Sequence, residues 1–383
     1  MKKGYLRLPG PTEIPEEVML AMSKPMIGHR GKEFKEIFSS VSEEIKGVFQ
    51  TQNDVLIFPG AGTGGMEAAI VNLFSPGDKV LLISVGVFGN RFGEIAERFH
   101  LDVERIEFQW GKTFDLQIIK ERIDKDKGGK IKGVIVTHNE TSTGVLNDIS
   151  SLKDVLRNHP ALLIVDAVSS LGAVDLKTDE WGIDVVVTGS QKALMLPPGL
   201  TLISISPKGW DAVEKSQIPK YYWDFKKAKN NLIKGQTPYT PAISLIFGLK
   251  ESLKLIYKEG LDNIFSRHIL LSKAFREGIK CMGLAPFADD HCASPTVTAI
   301  KVPDGIEPSK LRKKMADEFR MDIAGGQQKL QDTIIRVGHM GYVDKLDIIS
   351  TLWALGMTLE ELGFGADITS GIKKAQQVLK KEG

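Results

Sequence analysis

Asp184-Val-Val-Val-Thr-Gly-Ser-Gln-Lys192, followed by Ala193 to Gly199, decides how the rest of the chain is read. Three consecutive valines are β-branched and apolar, which favours a strand covered on both faces. Thr188, Gly189 and Ser190 break the run, and Pro197, Pro198 and Gly199 stop a helix from following. A lysine held at such an apolar strand end loses hydration. That disfavours the ammonium form and exposes a nucleophilic amine, the requirement for a Schiff-base lysine. Taken alone, the stretch reads better as a surface lysine after a strand. Three other stretches shift that balance.

The first is Leu56-Ile-Phe-Pro-Gly-Ala-Gly-Thr-Gly-Gly-Met-Glu-Ala-Ala-Ile70. A short apolar strand runs into Gly60, Gly62, Gly64 and Gly65, and a helix is expected from Met66 to about Phe74. Glycines let an anion approach peptide N–H groups, and a helix start adds unpaired donors and the positive dipole end. Together they form a phosphate cup, although the spacing is neither the Walker pattern nor a clean dinucleotide fingerprint, and a plain tight turn fits equally. The second is Ala161-Leu-Leu-Ile-Val-Asp-Ala-Val168, an apolar run of strand length with Asp166 near its end. Open α/β sheets bind ligands at such carboxyl ends; a helix cap is the competing reading. The third is Thr333-Ile-Ile-Arg-Val-Gly-His-Met-Gly341. Arg336 interrupts an apolar strand, and an inward arginine is expensive unless it meets an anion. Its planar guanidinium suits a carboxylate in two-point contact; an outward arginine on an edge strand is the alternative.

Phosphate cup, strand-end aspartate, strand-end lysine and carboxylate arginine describe a pyridoxal 5'-phosphate site, whose signature is a lysine Schiff base with an acidic partner for the pyridine nitrogen. Here the sequence resembles the class V aminotransferases of fold type I, in the alanine–glyoxylate, serine–glyoxylate and serine–pyruvate branch. The matching segments are Leu8-Pro-Gly-Pro11, Gly60 to Ala69, Val85-Gly-Val-Phe-Gly-Asn-Arg91, Thr137-His-Asn-Glu-Thr-Ser-Thr-Gly144, Val165-Asp-Ala-Val168, Gly189-Ser-Gln-Lys192 with Pro197-Pro-Gly199, and Arg336-Val-Gly-His-Met-Gly341. They span nearly the whole chain. The resemblance implies that Ala61, Gly62, Thr63, Val168 and Gln191 line the cofactor, with Gly62, Thr63 and Gln191 at its phosphate. It also implies that Phe88 stacks on the ring, Thr141 meets the phenolic oxygen, and Gly10 lies beside the substrate. Gln236 and Thr237 are expected to cross a homodimer to the neighbour's phosphate, with Thr240 as a competitor. The implied reaction moves an amino group from alanine or serine to glyoxylate or pyruvate.

The chain has 383 residues and a net charge of +2. That length points to more than one domain, and near-neutrality makes no case for nucleic acid or an anionic membrane. The lysines at 125, 127 and 130 and near the chain end read as solvated faces. Two cysteines, Cys281 and Cys292, build no disulfide framework and suit a reducing cytosol. Met1 to Leu8 lacks the apolar core of a secretion signal, and no apolar run is long enough to span a bilayer. A cytoplasmic protein without a metal site is the expectation.

Strand and helix patterns alternate from residue 55 to 205, which predicts an α/β fold with a mainly parallel sheet and helices on both faces. The expected organisation is an N-terminal arm over residues 1–20, a large cofactor-binding domain over 21–255, and a smaller α+β domain over 256–383. Tyr221, Tyr222, Trp223 and Phe225 among lysines read as a subunit interface or pocket wall. Three alternatives stay open. One is the same chemistry on an aminophosphonate or ureido substrate. Another is a cysteine desulfurase or lyase with Cys292 as nucleophile. The last is a non-catalytic subunit that keeps the fold.

Overall fold

The computed structural model describes residues 4–381. Residues 1–3 of the expected arm and 382–383 of the expected second domain lie outside the described residues. A seven-stranded sheet forms the larger layer. Its spatial order is Val55–Gly60, Gly199–Ile205, Val185–Gly189, Leu162–Asp166, Ile131–Thr137, Lys79–Ser84 and Asp102–Glu107. Gly199–Ile205 runs antiparallel to both neighbours, and the other adjacent pairs are parallel.

The apolar runs explain the layering. Side chains alternate across a strand, so a strand apolar at every position feeds two cores. Leu81, Ile83, Val134, Val136, Leu163, Val165 and Val186 belong to the core on one face. Val80, Leu82, Ile135, Leu162, Ile164, Val185 and Val187 belong to the core on the other. The helices Lys32–Phe49 and Ile243–Glu259 cover the first face, and Gly62–Leu73 and Val87–Arg98 cover the second. One local expectation shifts. The helix expected from Met66 begins at Gly62, and within the alternating stretch the helix before Leu162–Asp166 is short, Leu152–Leu156. In the first case Gly62 and Gly65 have no side chain, so the first turn settles directly against Val168, Thr201 and Val187.

A four-stranded sheet, ordered Ala285–Pro286, Val297–Lys301, Ile334–Gly338 and Ala324–Gly325, forms a second layer with its own core. Leu261–Cys281, Pro308–Phe319, Lys345–Glu361 and Ile368–Lys381 supply its helices. Gly260, at φ 85, separates Ile243–Glu259 from Leu261–Cys281. The N-terminal arm joins the two layers. Tyr5–Leu6 pairs in parallel with Met321–Asp322, and Arg7 O accepts from Gly338 N (2.7 Å). The chain then crosses to the large sheet, where Val18 of the helix Glu16–Met22 enters the core.

Candidate active site

The carboxyl ends of the parallel strands converge on one place. Gly62 follows the first strand, Phe88 the Lys79–Ser84 strand, Thr141 the Ile131–Thr137 strand, Asp166 ends its own strand, and Lys192 lies three residues beyond Gly189. A cavity of about 100 Å³ there is lined by Ala61, Gly62, Thr63, Phe88, Thr141, Asp166, Val168, Gln191 and Lys192. Met66, Arg91, Asn139 and Ser169, none of them selected from the sequence as site residues, complete the wall.

The backbone around Lys192 is fixed from several sides. Ser190 Oγ donates to Pro197 O (2.7 Å) and accepts from Leu200 N (3.1 Å). Lys192 O accepts from Met195 N (3.0 Å) and Thr12 Oγ1 (3.0 Å). Lys192 Nζ donates to Pro9 O in the arm. Burial, and secondarily the positive charge of Arg336, lower its pKa from 10.5 to about 8. A lysine on a strand end that ought to be solvated is therefore a partly neutral amine under a peptide roof. Gly10, at φ +125, forms that roof, and a Cβ there would stand 2.4 Å from Lys192 Nζ. Gly10→Ala is expected to displace the amine and strain the arm by about 1–3 kcal/mol. Tenfold or greater loss of kcat/KM with a lowered melting temperature is the outcome to measure.

Asp166 is 3% exposed. Its Oδ1 accepts from Val168 N (2.9 Å) and its Oδ2 lies 3.5 Å from Thr137 Oγ1. Burial is the main cause that raises its pKa from 3.8 to about 7, and the charge of Glu140 adds to it, while Lys192 and Arg91 act in the opposite sense. A carboxyl so poorly satisfied gains from a cationic N–H facing it.

The opposite wall is a donor surface. No side chain caps the Gly62–Leu73 helix, so its first amides lack intrahelical partners. An ideal Cβ on Gly62 would meet Val168 Cγ2 at 2.5 Å, so only glycine lets the cup close on the Asp166 strand. Gln191 Oε1 is buried with no hydrogen-bond partner. Thr141 Oγ1 donates to Ser169 Oγ (2.7 Å), and Ser169 Oγ donates to Asn139 O (2.9 Å). The Arg91 guanidinium lies 4.7 Å from the Phe88 ring centroid.

Glu140 organises this wall, and sequence reasoning passed over it. Fully buried, it accepts from Phe88 N (3.1 Å), Gly89 N (3.0 Å), Ser142 N (3.1 Å) and Ser142 Oγ (2.6 Å). The helix Val87–Arg98 thus gains an anion at its positive end. Burial raises the Glu140 pKa while these donors act against the rise. Only its place within Thr137 to Gly144 hinted at a role.

Arg336 sits in the interior of the small sheet between Val297–Lys301 and Ala324–Gly325, 6% exposed, so the outward, edge-strand alternative does not hold. Its Nε donates to Gly325 O (2.8 Å) and its Nη1 to Thr141 O (3.2 Å). Burial is the main cause lowering its pKa from 12.5 to about 10. Gln236 and Thr237 do not line the cavity of their own chain. They lie on a loop where Arg30 Nη1 reaches Thr237 O (2.7 Å) and Gln236 Oε1 (3.2 Å). Thr237 Oγ1 is spent on Tyr239 O (2.6 Å). Trp223 and Phe225 pack on Phe58 beneath the cup. Cys292 ends a short 3₁₀ turn over Asp290–Cys292, buried at 5% exposure, with Sγ 3.5 Å from Asp289 O. Burial raises its thiol pKa, which opposes formation of the thiolate a desulfurase needs.

A buried amine of lowered pKa, a buried carboxyl, an aromatic ring and an uncapped helix start around one cavity fit pyridoxal phosphate. The unpartnered Gln191 Oε1 and the free first-turn amides are polar groups that such a ligand engages. Fold and site define a pyridoxal-phosphate-dependent transferase of fold type I. Residues 4–345 match the family Aminotransferase class-V, and the chain belongs to it. It is 44% identical to the soluble hydrogenase small subunit of Synechococcus sp. (strain PCC 6716), over 98% of both chains. It is 36% identical to the serine–glyoxylate aminotransferase of Arabidopsis thaliana, over 99% of this chain and 96% of the other. The crystal structure of ureidoglycine–glyoxylate aminotransferase from Bacillus subtilis superposes with a TM-score of 0.93 at 31% identity, covering 100% and 99% of the two chains.

Proposed function

We propose that this aminotransferase moves the amino group of a small amino acid, alanine or serine, to a small 2-oxo acid, glyoxylate or pyruvate. The observation that carries this reading is the meeting of Lys192 and Asp166 in one cavity, with Arg336 donating to Thr141 O in its wall and the amine's pKa lowered to about 8. Glyoxylate in the names of two relatives supports the acceptor, while their differing donors leave the donor to experiment.

Bound pyridoxal phosphate supplies the electron sink for the charge that develops at the donor's Cα. Lys192 Nζ takes the proton from that Cα in the first half of the cycle and places one on the acceptor's C2 in the second. Asp166 holds a proton at the pyridine nitrogen. The amides of Ala61, Gly62 and Thr63 and the Gln191 side chain take the phosphate. Phe88 and Val168 would hold the ring, and Thr141 would offer its hydroxyl to the phenolic oxygen. Arg336 turns its remaining donors to the substrate carboxylate beside Gly10. The domain division is an N-terminal arm over 1–20, a large cofactor-binding domain over 21–255 and a smaller domain over 256–383. Gln236 and Thr237 serve the partner's phosphate in a cytoplasmic homodimer, which the exposed Tyr221 and Ile233 (74% and 77%) support.

Capture of added pyridoxal phosphate by cofactor-free protein reads the lysine directly. Only the neutral amine reacts, so the rate is expected to climb about tenfold per pH unit and level off above about 8. A solvated lysine would still be climbing at pH 10. The functional reading is tested by a panel of donors and acceptors on purified enzyme. Turnover of alanine or serine with glyoxylate or pyruvate is expected. Activity confined to a ureido or aminophosphonate donor would replace the substrate assignment. Sulfide released from L-cysteine would replace the reaction. One relative's name is that of a hydrogenase subunit, so a colourless protein that refuses the cofactor would favour the non-catalytic reading. The intact Lys192, Asp166 and Arg336 set supports catalysis.

A further inference from the structure

Residues 7–12 form a loop that bridges the two halves of the site. Leu6 N donates to Glu13 Oε1 (2.9 Å) and closes its base. One leg lies on the strand that carries Arg336. Gly338 N donates to Arg7 O (2.7 Å), and a Cβ on Gly338 would stand 2.1 Å from Leu8 O. The other leg lies on the lysine turn, where Thr12 N donates to Gln191 O (3.2 Å) and Thr12 Oγ1 to Lys192 O (3.0 Å). At the tip, Pro9 O accepts from Lys192 Nζ. The position of this loop therefore sets both the roof over the amine and the amine's spacing from the Arg336 strand.

A buried ion cluster clasps the base. Arg7 is 3% exposed. Its Nη2 pairs with Asp347 Oδ1 and lies 3.4 Å from Glu13 Oε1. Asp347 is fixed in turn, its Oδ2 accepting from Asp344 N (2.9 Å) at the start of the Lys345–Glu361 helix. Such a cluster adds little net stability over apolar side chains of similar volume. It fixes geometry instead, because neither charge tolerates burial alone. Behind the clasp is a cleft of about 580 Å³ bounded by Glu13, Asp347 and Gly341 and by Met195, which lies three residues beyond Lys192.

We propose that Arg7 is a positioning residue for the reaction: paired with Asp347 and Glu13, it holds the 7–12 loop so that Pro9 covers the Lys192 amine and the amine keeps a fixed spacing from Arg336. None of the three lines the cavity at Lys192, so the effect runs through the loop. The inference rests on the transaminase reading above. Freed from the clasp, the loop admits water from the cleft. The amine regains hydration and moves away from the Arg336 charge, and both changes raise its pKa from about 8 toward 10.5. Asp166 and Arg91, the other charges that act on it, are untouched by a change at residue 7.

The test is Arg7→Met, read in two ways. Capture of added pyridoxal phosphate by the cofactor-free full-length variant is expected to level off about one pH unit or more above wild type. With L-alanine or L-serine and glyoxylate, kcat/KM of the holoenzyme is expected to fall about 10- to 100-fold. Arg7→Lys, which keeps the charge facing Asp347, is expected to restore the wild-type plateau. A plateau that stays near 8 in Arg7→Met overturns the proposal even where the melting temperature falls, and so does an unchanged kcat/KM. Should Arg7→Met fold poorly, Asp347→Asn breaks the same pair from its more exposed side and is expected to move the plateau in the same direction. No movement there overturns the proposal equally. A shifted plateau with no transamination of any donor sinks the functional reading alone. An unshifted plateau in an active enzyme sinks the clasp alone.

Discussion

Lys192→Ala is expected to abolish transamination and remove the visible absorbance of the holoenzyme while leaving the fold intact. Loss of a positioned base costs ~10²–10⁴-fold by itself, and here the covalent anchor for the cofactor goes with it. The fold is expected to survive because, among the described residues, the side chain's only hydrogen bond runs to Pro9 O. Circular dichroism and the melting temperature are expected to match wild type. Added methylamine or ethylamine fits the vacated space and is expected to restore a fraction of turnover. Restoration separates a missing base from a collapsed site. A Lys192→Ala protein that keeps ordinary activity would place the chemistry elsewhere.

Asp166→Asn is expected to lower kcat by at least about 10²-fold with modest change in cofactor affinity. A hydrogen bond to a charged group is worth roughly 1.5–3 kcal/mol, and each 1.4 kcal/mol is a tenfold effect. Asparagine keeps the shape and the contact to Val168 N, yet it lacks the charge that holds a proton on the ring nitrogen. Asp166 also carries a linkage. Its folded pKa of about 7 lies above the unfolded 3.8, so the cofactor-free protein binds an extra proton between those values. The contribution to stability is fully present below pH 3.8 and is lost as pH rises through 7. Melting temperatures of cofactor-free wild type, relative to Asp166→Asn, are expected to decline from pH 5 to pH 8. A flat difference would contradict the buried, unpaired carboxyl.

The architecture was legible because its strands are apolar on both faces. Val185 to Val187 and Leu162 to Val165 have no polar position to spare, which leaves a covered parallel sheet as their natural setting. Asp166 and Lys192 stood out because each is a charged residue at the end of such a run. Arg336 stood out because it breaks one. The residues that escaped notice lack this contrast. Glu140 sits in a polar segment where an acid is ordinary; only the tertiary meeting of that loop with Phe88 and Gly89 removes it from water. Ser169 reaches the cavity from a loop, Asn139 from the two-residue strand Asn139–Glu140 and Arg91 from the polar face of the Val87–Arg98 helix, where such residues are ordinary. Gln236 and Thr237 came from resemblance alone, and within one chain they rest against Arg30 and Tyr239.

The central claim is that one amine, held under Pro9 and Gly10 and facing the Asp166 strand, carries the cofactor. Borohydride reduction of the holoenzyme followed by peptide mass mapping reads that attachment directly. The account predicts a single phosphopyridoxyl label on the peptide containing Lys192. A label on another lysine, such as the partly buried Lys220, or no label on a fully active enzyme, would contradict it.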